Sequence, residues 1–158
     1  MAAHEYKATV VHVGDELFIG TPTSGHAQLL DTKGDRLAAP TPVELLLIAV
    51  AGCTASDVAS ILEKKRQDVT DYRVAITGTR AEEHPRKFLT FHIHHIVRGR
   101  NVSEEAVRHA IELSDTKYCS VAATVRPTAT ITTSFEVVSV PEEETHPADA
   151  IQANTAGE

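Results

Sequence analysis

The period of apolar and polar positions changes several times along this chain, and each change marks an element. From Tyr6 to Thr32 the two kinds mix over short distances, punctuated by the turn signals Gly14-Asp15, Gly20 and Ser24-Gly25. That pattern predicts strands near 6–12, 16–20 and 26–31. A polar turn, Lys33-Gly34-Asp35-Arg36, leads into Pro40, after which ELLLIAVAGCTASDVASILEKKR (44–66) carries an unbroken apolar run of nine residues, Leu45 to Cys53. Thr41-Pro42-Val43-Glu44 puts a hydroxyl at the N-cap, proline at the first helical position and glutamate at N3. This is a capping box, and it predicts a helix beginning at Pro42. Lys64, Lys65 and Arg66 close that helix with cations where its dipole is negative.

Strand-like alternation returns in Asp71–Arg80, with Tyr72, Val74 and Ile76 on one face, and in Lys87–Gly99, with Leu89, Phe91, Ile93 and Val97 on one face. The loop AEEHPR between them predicts an antiparallel hairpin. Asn101-Val102-Ser103 caps a second helix whose first turn holds Glu104 and Glu105, favourable at the positive end of the dipole. This helix is expected to reach about Tyr118, with Val107, Ala110, Ile111 and Ser114 inward, and Cys119–Val125 reads as a further helical turn. The β-branched stretch Thr128–Val138 predicts a last strand. Strands, helix, hairpin, helix and strand make an α+β domain, with antiparallel strands and helices stacked on one face. The first helix is apolar nearly all round, which calls for cover beyond one sheet and so for a partner chain.

At 158 residues the chain has room for one self-sufficient core, expected over residues 1–140. Residues 141–158 hold Glu142, Glu143, Glu144, Asp149 and Glu158 with no base and no periodicity, and are expected to be a disordered acidic tail. Lys and Arg number 15 against 22 Asp and Glu, so with the tail set aside the body is near neutral. Neither nucleic acid nor an acidic membrane surface is an expected partner. The N-terminal MAAHEYKATV shows no apolar signal region, and nine apolar residues fall well short of the roughly 20 of a bilayer span. A cytoplasmic location is expected.

Chemistry centres on two cysteines, Cys53 within the apolar helix and Cys119, 66 positions later. In a reducing compartment such a pair is no structural staple; if it pairs, the bond is transient and chemical. Read alone, Cys53 is better explained as a small buried filler. Asp57, four residues on, shares its helix face and would raise a nearby thiol's pKa unless compensated. In FHIHHIV, His92 and His94 point to one side of their strand and His95 to the other. They would hold a metal only if a third ligand such as His12, His26 or His109 converged; otherwise they form a solvated strand face. Glycine-rich phosphate loops, CxxC and GxSxG are all missing, which argues against nucleotide chemistry and serine hydrolysis; neither a cofactor nor a metal is expected.

PTPVELLLIAVAGCTASDVASILEKKR, YRVAITGTRAEEHPRKF and RHAIELSDTKYCSVAATV together resemble the OsmC and Ohr superfamily, nearest its YhfA-like subgroup, over roughly Ala8 to Val138. The resemblance implies an intertwined homodimer in which two long helices, each bearing a cysteine, pack centrally against six-stranded sheets. It implies thiol-dependent reduction of small hydrophobic peroxides, with Cys53 reactive, Cys119 resolving and a lipoyl-type dithiol as reductant. Active members also use a glutamate ten residues before the reactive cysteine and an arginine from the N-terminal region. Val43 occupies that position here, and Glu44, one helical step or about 100° away, is the candidate, with capping as its other reading. Arg36 is the nearest upstream arginine, otherwise an exposed turn residue. Non-catalytic binding of a small hydrophobic ligand at the dimer interface is the alternative function.

Overall fold

A computed structural model of the chain describes residues 4–141, and the expected acidic tail from 142 onward lies outside them. The chain forms two compact units, the first ending at Ala49 and the second beginning at Val50. The first unit holds strands β1 (Ala8–Gly14), β2 (Leu17–Pro22) and β3 (Gln28–Asp31) in an antiparallel meander. Its first hairpin turns on Asp15 and Glu16, both at positive φ (48° and 58°), as a two-residue connection matched to strand twist requires. Val11 pairs with Ile19, and Phe18 with Leu30.

Helix α1 (Pro42–Lys64) starts where the capping box placed it. Thr41 N donates to Glu44 Oε2 at 2.7 Å and Glu44 N to Thr41 Oγ1 at 3.2 Å. The helix ends in a Schellman motif, with Gln67 N–H on the Leu62 carbonyl and Arg66 N–H on that of Glu63. Arg66 takes the left-handed position usually given to glycine, φ 56°.

In the second unit the helix buries Val50, Thr54, Val58 and Leu62, a stripe at spacing four. Val58 and Leu62 join Val97, Val107, Ala110 and Ile111 in the core. Strands β4 (Asp68–Arg80) and β5 (Phe88–Arg100) form the expected antiparallel hairpin, Tyr72 opposite Val97 and Ile76 opposite Ile93. Phe91, Ile93, His95 and Val97 are buried, whereas Leu89 is 43% exposed and Phe88, beside the bulge at Thr79/Arg80, takes the buried place instead. Gly99 admits no side chain, because a Cβ there would lie 2.1 Å from the Asp68 carbonyl oxygen.

Three expectations are corrected here. Strand β6 (Thr130–Ser139) runs parallel to β5, so the second sheet, ordered β4-β5-β6, is mixed rather than antiparallel. The intervening helical crossover is long enough for a parallel return. Among the described residues one chain contributes two three-stranded sheets. Only α1 is long among the described residues: the second helical segment is α2 (Glu104–Leu113), a π-helical turn (Ser114–Tyr118) and the short α3 (Ser120–Val125). Cys119 sits at the junction rather than on a long helix.

Candidate functional site

The second unit brings its two cysteines together. Cys53 stands on α1, partly exposed, and Cys119 between the π turn and α3, buried; both are free thiols. Their sulfurs and a carboxylate oxygen of Asp57 all lie within 4.8 Å of one another. Asp57 is there because positions i and i+4 share a helix face, as the sequence implied. Cys119 is there because the turn before it is widened, closing with Cys119 N–H on the Ser114 carbonyl at 2.9 Å. An i to i−5 closure carries one more residue per turn than the α-helix and re-aims the chain beyond it.

Burial keeps the Cys119 thiol protonated, pushing it up from 9.0 to about 11; its hydrogen bond with Cys53 acts the same way, and the negative charge of Asp57 adds to both. Ala122 N–H donates to Cys119 Sγ at 3.4 Å and opposes this shift. Ser114 Oγ, fully buried, donates to Asp57 Oδ2 at 2.9 Å and lies 3.0 Å from Thr54 Oγ1. Sequence reasoning placed Ser114 on the inner face but missed that it orients Asp57 and meets Thr54. The available signal was two hydroxyls, one next to Cys53 and one five residues before Cys119.

Glu44 and Arg36 each have other partners. Glu44 is engaged with Thr41, whose backbone N–H and then hydroxyl hold its carboxyl below the usual range. Arg36 forks onto Asp31, Nε to Oδ2 and Nη2 to Oδ1, both at 3.0 Å, and also binds the Asp15 side chain and carbonyl. Buried Asp31 further accepts from Lys33 and Ala38 N–H, and its carboxyl is lowered to about 2, chiefly by the Arg36 hydrogen bond. Arg36 is thus bonded into its loop rather than being an exposed turn residue.

The strand histidines divide as their alternation implied. His92 bonds Thr132 and Ser134 at 2.9 Å each, and His94 bonds Ser134 at 2.8 Å, so both solvate a strand face. His95 is in the core against Tyr72. Among the described residues one group of three metal-capable side chains converges, Cys53, Asp57 and Cys119, and no histidine belongs to it.

The family model described as OsmC-like protein matches residues 32–134. The chain belongs to the OsmC-like protein family. It is 46% identical over 134 residues to Protein YhfA of Escherichia coli strain K12, covering 84% of this chain and 98% of that one. A hypothetical protein from Aquifex aeolicus VF5 matches it in structure with TM-score 0.76 and 32% identity, over 89% and 100% of the two chains. An organic hydroperoxide resistance protein OsmC from Legionella pneumophila matches with TM-score 0.63 and 15% identity, over 89% and 100%, a likeness of fold. The YhfA-like resemblance and the α+β OsmC-like fold with two sheets and helices are therefore established. By length and composition alone α1 would pass for a membrane span, although its apolar run suggested otherwise. In an OsmC-like protein that helix belongs to a globular fold and does not indicate a membrane protein.

Proposed function

We propose that this OsmC-like protein is a thiol-dependent redox protein that reduces organic hydroperoxides through Cys53 and Cys119. The observation carrying this reading is the convergence, within 4.8 Å, of sulfurs from distant parts of the second unit's sequence. A Cys53 thiolate attacks one oxygen of the O–O bond, which breaks; the alkoxide leaves, takes a proton and becomes an alcohol, and Cys53 becomes a sulfenic acid. The Cys119 sulfur then attacks that of Cys53, its proton leaving with the hydroxyl as water, and a disulfide forms. An external dithiol supplies two electrons by exchange through a mixed disulfide. Partial exposure of Cys53 and burial of Cys119 support these roles in this order. Fold relatives named as organic hydroperoxide resistance proteins support the reaction class.

The working unit is a homodimer. Exposed apolar residues on both faces of β1, Val10, Val11 and Val13, and on α1, Ile48 at 60% exposure, support cover by a second copy. Such cover would supply the apolar walls that select organic peroxides.

The engagement of Glu44 by Thr41 and of Arg36 by Asp31 favours a second reading, non-catalytic binding of a small hydrophobic ligand. Neither charge then activates the thiol. The decisive experiment incubates the reduced protein with cumene hydroperoxide and a lipoyl dithiol and follows peroxide loss. Turnover that disappears in Cys53→Ser is expected; turnover no greater than that variant's leaves the binding reading.

A further inference from the structure

Cys53, Asp57 and Cys119 offer two sulfurs and a carboxylate oxygen to a common point. Their ligand atoms lie within 4.8 Å of one another. Ligands on a tetrahedral zinc, with bonds of about 2.3 Å to sulfur and about 2.0–2.2 Å to carboxylate oxygen, stand a little under 4 Å apart. Side-chain rotations of about an ångström would close the set. We propose that the reduced dithiol site binds one zinc ion through Cys53, Cys119 and Asp57, with a fourth position open on the partly exposed Cys53 side.

Three features favour an ion over mere proximity. The surroundings already hold the ligands as metal sites do: Ser114 donates to the Asp57 carboxylate at 2.9 Å, and Ala122 N–H donates to Cys119 Sγ at 3.4 Å. Asp57 makes no ion pair among the described residues, leaving a half-buried carboxylate beside two sulfurs without a cation. The donor set is also selective, since two thiolates favour zinc over magnesium or calcium, and three protein ligands leave room for a water or small anion. Zinc binding releases the thiol protons and holds both sulfurs reduced. It therefore competes with peroxide chemistry at the same atoms, although the inference rests on the geometry alone.

The test is a zinc titration of the full chain, reduced and metal-free, against a chromophoric chelator, with cobalt as a spectroscopic probe. One ion per chain is expected, with the thiolate-to-cobalt charge-transfer band. Binding should be lost in protein treated with N-ethylmaleimide, a control that needs no folded variant. Asp57→Asn should weaken affinity by at least about tenfold, and Ser114→Ala by about 10–100-fold through the carboxylate it orients. Absence of binding by the reduced protein overturns the proposal, as does equal binding after thiol alkylation. Wild-type affinity in Asp57→Asn would mark a bare dithiol and also overturn it; should that variant not fold, unchanged affinity in Ser114→Ala decides in the same direction. Peroxide consumption is measured separately, so a protein that binds zinc but spares cumene hydroperoxide refutes only the peroxidase reading.

Discussion

Acid is expected to weaken this protein through His95. The ring is fully buried, stacked on Tyr72 with its Nδ1 hydrogen-bonded to the Tyr72 hydroxyl at 2.7 Å. Burial, and secondarily the charge of His94, lowers its pKa from 6.5 to about 4. In the unfolded chain the imidazole takes a proton near 6.5, and in the fold only near 4. Between those values the unfolded state binds more protons, so stability falls as pH falls, and the contribution is whole only above about 6.5. Some 2.5 pH units at about 1.4 kcal/mol each give an upper bound of about 3.5 kcal/mol, large against the ~5–15 kcal/mol of a typical domain. Urea unfolding of wild type and His95→Gln at a series of pH values checks this. The wild-type midpoint should drop faster than the variant's between pH 6.5 and 4, approaching that difference. Parallel profiles would refute the argument. Tyr72→Phe, which strips the buried ring of its partner, should cost about 1–3 kcal/mol at neutral pH.

Iodoacetamide at about pH 8 should modify Cys53 well before Cys119, whose thiolate population is reduced about 100-fold by the rise of its pKa from 9.0 to about 11; peptide mass spectrometry reads both rates, and equal rates would contradict the shielding of Cys119 by burial. Thr41→Ala removes the cap partner of Glu44 and should cost about 1 kcal/mol in urea unfolding. If Glu44 only caps, that variant leaves Cys53 alkylation unchanged, whereas a change in rate would give Glu44 a second role. Arg66→Gly relieves a left-handed residue at the end of α1 and should raise stability by about 1 kcal/mol, and a loss on denaturation would show that the Arg66 side chain matters more than its backbone.

Much of the fold was legible because local chemistry specified it. Thr41-Pro42-Val43-Glu44 fixed the start of α1 to the residue, and Ser103 caps α2 through Ala106 N–H as its sequence implied. What escaped is not written locally. Alternation in β6 says which face is buried but nothing about strand direction, so its parallel pairing was invisible. The π turn leaves the apolar spacing of Val107, Ala110 and Ile111 unchanged and shows only afterwards, in where Cys119 lands. At the site, Asp57 followed from helix geometry, while the meeting of Cys53 with Cys119 was foreseen through family resemblance. Buried Ser114 and Thr54 read as ordinary small residues until their hydroxyls were seen to converge.

The widened turn at Ser114–Tyr118 sets the rotational phase of everything after it. Winding the same five residues at ordinary helical pitch would swing the next sulfur by roughly one helical step, about 100°, around the axis, with every side chain of the cluster still encoded. The placement of the Cys119 sulfur thus depends on the extra residue and the wide turn together, and a homologue with a single gap in this segment would keep the same phase by closing the turn at ordinary pitch.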